Sequence, residues 1–300
     1  MRKITLLAIS LTTMLGVSTS LNAQGLIDGF VDEEGALSVS TTYSKSTFTE
    51  AYVGKNKKKL IEIPLPYKRL NQDVYNLFAK YMINAKLSAL INIPYIIGTG
   101  DATADVPDDG NKVSGIQDVT MGLRYNMYTF EYENSDLVVL SGITISIPSD
   151  YEPNGVVSMG TGALTTDFTL GLQYQTDYGF FTTLTAAYSL KDDLDTNGVY
   201  TGIPNSFLAG AKVGYSTRTL FISGWFDMSK AMSGVDIGGK GFVGNLPETR
   251  VDYIRAGASI TKSLTEDLKL SIGYGKVLDG RNVGSSDIYS AGITYNIQLL

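Results

Sequence analysis

The sequence predicts an all-β fold, a transmembrane antiparallel up-and-down β-barrel of about 12 strands, on three observations. Twelve stretches alternate apolar with small polar residues at period 2. Tyrosine or phenylalanine stands at one or both ends of most apolar sets, and the connections between stretches alternate short and long. Neighbouring side chains of a strand point to opposite faces, so period 2 means one apolar face and one wet face. Aromatic rings at both ends of the apolar face suit the two levels where lipid tails meet headgroups.

The predicted strands run over 36–48, 72–83, 86–96, 115–128, 136–148, 163–176, 179–190, 204–216, 219–229, 249–261, 266–276 and 286–299. The outward sets begin with Leu37, Val39 and Tyr43, then Leu87, Ala89, Ile91, Ile93 and Tyr95, then Val119, Met121, Leu123 and Tyr125. They continue with Phe168, Leu170, Leu172 and Tyr174, then Phe180, Leu184, Ala186 and Tyr188, then Phe207, Val213 and Tyr215, then Leu268, Leu270, Ile272 and Tyr274. The last strand shows the pattern most cleanly: Tyr289, Ala291, Ile293, Tyr295, Ile297 and Leu299 share one face, and Ser290, Gly292, Thr294, Asn296 and Gln298 share the other.

Connections at 84–85, 177–178, 217–218 and 262–265 are short, those at 129–135 and 277–285 medium, and those at 49–71, 97–114, 149–162, 191–203 and 230–248 long. Short turns on the periplasmic side and longer loops outside are the bacterial outer-membrane arrangement, and an even strand count puts both chain ends in the periplasm. A soluble β-sandwich also alternates, but gives no reason for the alternating connections or for tyrosine at both ends of the apolar face.

Residues 1–23 read as a secretory signal peptide: Arg2 and Lys3, an apolar stretch from Ile4 to about Val17, and a cut after Ala23. Leu21 is larger than the residue preferred three places before a cut, so the cleavage point is fixed only to within a few residues. Segment 24–35, with Leu26, Ile27, Phe30 and Val31 among acids, is expected to be a short periplasmic piece or a small plug, and 36–300 the barrel. Past the signal no apolar run approaches the roughly 18 residues of a membrane helix. Thirty-two glycines and nineteen tyrosines against one tryptophan fit a barrel better than an average soluble domain.

Composition also removes function classes. A net charge of −6 argues against nucleic acid as a partner. The absence of cysteine excludes a lipoprotein anchor and a disulfide framework. Histidine is absent too, which removes the commonest general base and the usual partner of a serine nucleophile, so no enzyme activity and no cofactor are expected. Acids at Asp101 to Asp109 and Asp192 to Asp195 read as solvated loops, without the spacing of a calcium loop. Gly239-Lys240-Gly241 belongs to no strand–loop–helix unit that could present a phosphate.

Three stretches carry a family resemblance. They are Ile83 to Tyr95 with Pro94; Ser114-Gly-Ile-Gln-Asp118 running on through Gly122 to Arg124-Tyr125; and Ile143 to Pro148, then Gly160-Thr-Gly162 to Asp167 and Gly171. In these the chain resembles the outer-membrane transporter family of the meta-pathway of phenol degradation, which is related in architecture to FadL-type hydrophobic-compound channels. The resemblance implies a channel for small molecules. The chain departs from FadL in lacking a long plug-forming N-terminal domain.

Inward parity assigns the charged residues of the lumen. Lys80, Lys86, Lys212 and Lys269 fall in the periplasmic third, Arg124 and Arg255 near the middle or just below, and Asp118, Asp167 and Asp227 toward the extracellular end. These are the candidate pore-lining residues, with no catalytic or metal site expected. They read either as a structural cluster filling a narrow lumen or as a filter for anionic solutes. The sequence therefore predicts a monomeric, porin-like outer-membrane channel for passive uptake or efflux of small hydrophobic, aromatic or anionic molecules. Its expected partners are outer-membrane lipid, lipopolysaccharide, the barrel-assembly machinery and a small-molecule solute. The competing reading is a structural or adhesive barrel with a plugged lumen and ligand-binding outer loops.

Overall fold

The computed structural model describes residues 33–63, 67–102, 112–151, 160, 162–196 and 199–299. The signal peptide and all but the last three residues of segment 24–35 lie outside them, as do the acids at 105–109.

Twelve antiparallel strands form the wall: β1 (Ala36–Val53), β2 (Tyr67–Met82), β3 (Leu87–Ala102), β4 (Val119–Tyr132), β5 (Ser135–Ile147), β6 (Thr165–Thr176), β7 (Phe180–Lys191), β8 (Ser206–Ser216), β9 (Leu220–Ala231), β10 (Asp252–Ser263), β11 (Leu268–Arg281) and β12 (Gly284–Gln298). Each pairs with its neighbours in sequence, and β1 pairs with β12 from Ala36↔Gln298 to Ala51↔Gly284, which closes the sheet. Closure leaves no strand edge unpaired, the condition for crossing a bilayer with strands.

All twelve predicted strands are present, and the parity is as predicted. Leu170 and Ile272 on the outer face are each 62% exposed, whereas Leu140 and Ile288 on the inner face are fully buried. The inner face is mostly polar, so no apolar core lies between two sheets and the sandwich alternative fails. Hydroxyl and amide side chains at facing lumen positions bond across neighbouring strands: Ser40 with Thr294 at 2.8 Å, Thr120 with Ser146 at 2.8 Å, Ser223 with Ser259 at 2.9 Å and Thr183 with Gln173 at 3.0 Å.

The periplasmic turns are held by short side chains that imitate a backbone acceptor. Asn84 Oδ1 takes the N–H groups of Lys86 and Leu87 at 2.9 Å each, Thr176 Oγ1 takes Phe180 N–H at 3.1 Å, Thr217 takes Leu220 N–H at 3.0 Å and Thr265 takes Leu268 N–H at 2.9 Å. These turns fix which parity faces inward, because a slip of one residue would exchange the two faces of a strand.

Both connections of predicted medium length are tight turns. The predicted link at 129–135 is a turn at Glu133–Asn134, because β4 continues past a bulge at Asn126/Tyr128 that turns Tyr128 and Phe130 outward. The predicted link at 277–285 is a turn at Asn282–Val283 above extended strands. Pro94 lies inside β3 instead of ending it. Pairing of β3 with β4 stops at Asn92↔Thr120 and resumes at Tyr95↔Ile116 with the short strand Lys112–Ile116, and Gln117 N–H closes the gap onto Pro94 O at 2.9 Å. A residue with no N–H of its own suits that interruption.

Candidate functional site

The extracellular mouth is built by loops that fold onto the upper lumen wall. Phe48 and Ala51 of β1, Leu60 and Ile63 of the β1–β2 loop, and Tyr67 and Leu70 of β2 bury against Ile237 and Leu246 of the β9–β10 loop. Asn282, in the left-handed region at φ 51°, fastens this roof. Its Oδ1 accepts Gly54 N–H at 2.8 Å and Ile237 N–H at 3.2 Å, and its Nδ2 donates to Asp236 Oδ1 at 3.0 Å and Arg250 O at 2.8 Å. Arg281 grips the same Asp236 carboxylate with Nε and Nη2, each at 2.6 Å, which holds that carboxyl below its ordinary range.

Beside this roof, Tyr151 of the β5–β6 connection packs onto Val74 and Ile96, inward residues of β2 and β3. Its hydroxyl donates to Asp118 and accepts Gly162 N–H at 3.0 Å. A methyl group on Gly160 would collide with that hydroxyl. Burial pushes the Asp118 carboxyl up, against the pull of the Tyr151 hydrogen bond, and pushes the Tyr151 phenol up with help from the Asp118 charge. Asp118, Gly160 and Gly162, which stand apart in sequence, thus meet at one tyrosine.

In the upper lumen Arg255 faces Asp227 in register and clasps its carboxylate, with Nε to Oδ1 at 3.1 Å and Nη2 to Oδ2. The guanidinium lies 4.5 Å from the centre of the Tyr253 ring. Asp167 accepts a bond from Thr144 at 3.5 Å and stands within electrostatic reach of Lys191, whose Nζ reaches Ser206 Oγ at 3.4 Å.

Below, Arg124 of β4 faces Ser88 in register at the foot of β3 and is buried with Nη2 3.8 Å from Met82 Sδ, the last residue of β2, and Lys80 is buried near the foot of β2. Lys212 and Lys269 are half-buried, facing inward in the lower half of β8 and at the foot of β11. Apolar side chains share this half: Phe78, Leu90 and Leu140 form one buried cluster, and Phe181 stacks on Phe221 with ring centroids 4.8 Å apart.

The structure places Lys80, Lys212, Lys269 and Arg124 on the lower part of the wall and Asp118, Asp167 and Asp227 on the upper. Two placements differ. Lys86 is exposed in the turn between β2 and β3, where Asn84 takes its N–H, because the strand begins one residue later at Leu87. Arg255 stands near the extracellular start of β10 at the level of Asp227, because β10 begins at Asp252, three residues later than predicted.

The sequence reading also missed Lys191, one residue beyond the predicted end of its strand, although parity extended by a single residue would have found it. Tyr151 carries no periodic signal at all.

The family profile described as "Putative MetA-pathway of phenol degradation" matches residues 69–290. The chain belongs to this family. The stretches that resemble it are thereby given physical roles. A Cβ on Gly122 would lie 2.6 Å from Ile143 O, one on Gly171 would lie 2.7 Å from Leu140 Cδ1, and Asp118 with Gly160 and Gly162 holds Tyr151. No curated protein matches the chain in sequence.

Among solved structures, an outer membrane channel from Pseudomonas putida F1 is similar with a TM-score of 0.70 at 14% identity, over 89% of this chain and 97% of that one. The NanC porin is similar with a TM-score of 0.50 at 11% identity, over 86% and 98%. The likeness is one of fold: this family member is a closed β-barrel with an apolar outer band.

Proposed function

We propose that this barrel passes small molecules by passive diffusion and favours those that carry an apolar or aromatic body with a negative charge. The observation that supports the reading is the lower lumen, where Arg124, Lys80, Lys212 and Lys269 share the wall with Phe78, Leu90, Leu140 and the Phe181–Phe221 pair. Basic side chains lower the electrostatic barrier for anions, and apolar surface beside them favours the body of an aromatic or aliphatic acid.

Arg255 pairs with Asp227 higher in the wall, above this surface. The buried roof at the mouth supports the rival reading of a closed barrel, and solute flux separates the two. Proteoliposomes swelling faster in sodium benzoate than in a neutral solute of equal size support the channel, and no swelling in either supports the closed barrel.

A channel in this position works without a catalytic residue, and the two solved barrels compared above are described as a channel and a porin. We further propose that residues 1–23 direct export and are removed, that 24–35 stays on the periplasmic side, that the barrel-assembly machinery inserts the strands, and that the barrel works as a monomer.

A further inference from the structure

The outer face near the extracellular rim repeats one arrangement on two adjacent hairpins. On β1 and β2, Tyr43 donates its hydroxyl to Asp73 Oδ1 at 2.6 Å, leans on Tyr75 with ring centroids 5.2 Å apart, and precedes Lys45, whose Nζ is 4.0 Å from the same carboxylate. On β11 and β12, Tyr274 donates to Asp287 Oδ1 at 2.5 Å, leans on Tyr289 at 5.3 Å, and precedes Lys276, whose Nζ is 3.4 Å from Asp287. Strands β12 and β1 are neighbours, and Tyr289 faces Lys45 across them, so the two arrangements stand side by side. Lys57, on the short strand Asn56–Lys59 that pairs with the top of β1, joins them 2.7 Å from Glu50.

The tyrosine rings mark the level where lipid tails give way to headgroups. Lys45 and Lys276 each lie two residues nearer the outside than their tyrosines, about 7 Å along the strand, which is where lipid phosphates stand, and Lys57 stands above them beside Glu50. The side chains of Lys45, Lys57 and Lys276 are 51%, 43% and 50% exposed, so their ion pairs are of the weak surface kind. An ammonium has three donors, and one carboxylate leaves some of them for another acceptor. The charge balance is local as well: residues 45–69 hold seven basic side chains against two acidic ones in a chain of net charge −6. Solvation of a rim needs polarity and not an excess of one sign.

We propose that this face of β11, β12, β1 and β2 is a lipopolysaccharide site, with Lys45, Lys57 and Lys276 binding the lipid's phosphate groups. Asp73 and Asp287 hold the lysines upright over the tyrosines, and the rings and apolar wall below take the acyl chains. The site lies on the outside of the wall and does not depend on what crosses the lumen.

The test follows the thermal unfolding midpoint of the full barrel in detergent micelles as lipopolysaccharide is added. The wild type is expected to gain heat resistance. In the Lys45→Gln/Lys57→Gln/Lys276→Gln variant the apparent affinity is expected to fall about a hundredfold, at roughly 1 kcal/mol per basic side chain near an anionic surface. Single variants, expected to lose about fivefold each, serve if the triple variant does not fold, and triple replacement by arginine should keep the response. Lys240→Gln, in an exposed outer loop, should change nothing.

Equal responses of the triple variant and the wild type would overturn the proposal, as would dephosphorylated lipopolysaccharide acting as well as the intact lipid. Full competition by inorganic pyrophosphate would point to a soluble polyanion and also overturn it. Conductance read on the same variants is expected to be unchanged, which keeps this outcome separate from that of the transport reading.

Discussion

Arg255 clasps Asp227 across the β9–β10 pair with Nε 3.1 Å from Oδ1, at the same height in the lumen and over the ring of Tyr253. A basic residue placed by parity alone as a filter candidate is therefore a member of a wall-spanning pair.

Breaking that pair strands one of its charges in the lumen. Arg255→Gln is expected to destabilise the barrel by about 2 kcal/mol in urea unfolding from lipid vesicles, and adding Asp227→Asn should restore part of the loss. Additive effects of the two changes would show that the residues act apart.

The parity of β11 gives a second contrast. Leu270 faces lipid and Ser271 faces the lumen. Leu270→Arg is expected to cost about 2–4 kcal/mol if it lies near the bilayer midplane, and Ser271→Arg less. Equal folding yields in bilayers would refute the assignment of faces.

Much of this was legible in the sequence because a barrel wall is a local, periodic object. Tyr289 to Leu299 declare their face by alternation alone, and Asn84, Thr217 and Thr265 mark turns by their own chemistry. What alternation cannot give is the height of a residue, which depends on where a strand starts: Arg255 moved up and Lys86 moved out because β10 and β3 begin later than composition suggests. Contacts between distant segments leave no periodic trace either. Nothing in the sequence near Tyr151 tells that it meets Asp118, and nothing near Asn282 tells that it holds Gly54 and Asp236, although glycines at 122, 160 and 171 record close approaches.

The Tyr151 contact makes a prediction about coupling. Tyr151→Phe removes the hydroxyl that bonds Asp118, and Gly160→Ala displaces the same hydroxyl by collision. Both are expected to change single-channel conductance in the same direction, and the double variant should match either single one. Summed effects would separate Gly160 from Tyr151.

Acid should loosen the roof. Arg281 holds the Asp236 carboxyl below its ordinary value of 3.8, so the folded state binds fewer protons than the unfolded state as that group titrates. Its contribution is present above about pH 4 and is lost as pH falls through the lowered folded value. Hydrogen exchange at Ile237 and Gly54, whose N–H groups bond Asn282, should therefore quicken below that range, and Asp236→Asn should quicken it already at neutral pH. Exchange that ignores both acid and the substitution would remove the Asp236–Arg281 pair from the account.

The most direct test of the central claim is the reversal potential of the purified barrel in a planar bilayer under a salt gradient. Discrete conductance with anion preference is predicted, and replacing Arg124 and Lys212 with Gln should shift the potential toward cations while the protein still folds. A folded barrel that conducts no ions, or one whose selectivity is untouched by losing both charges, would contradict the account.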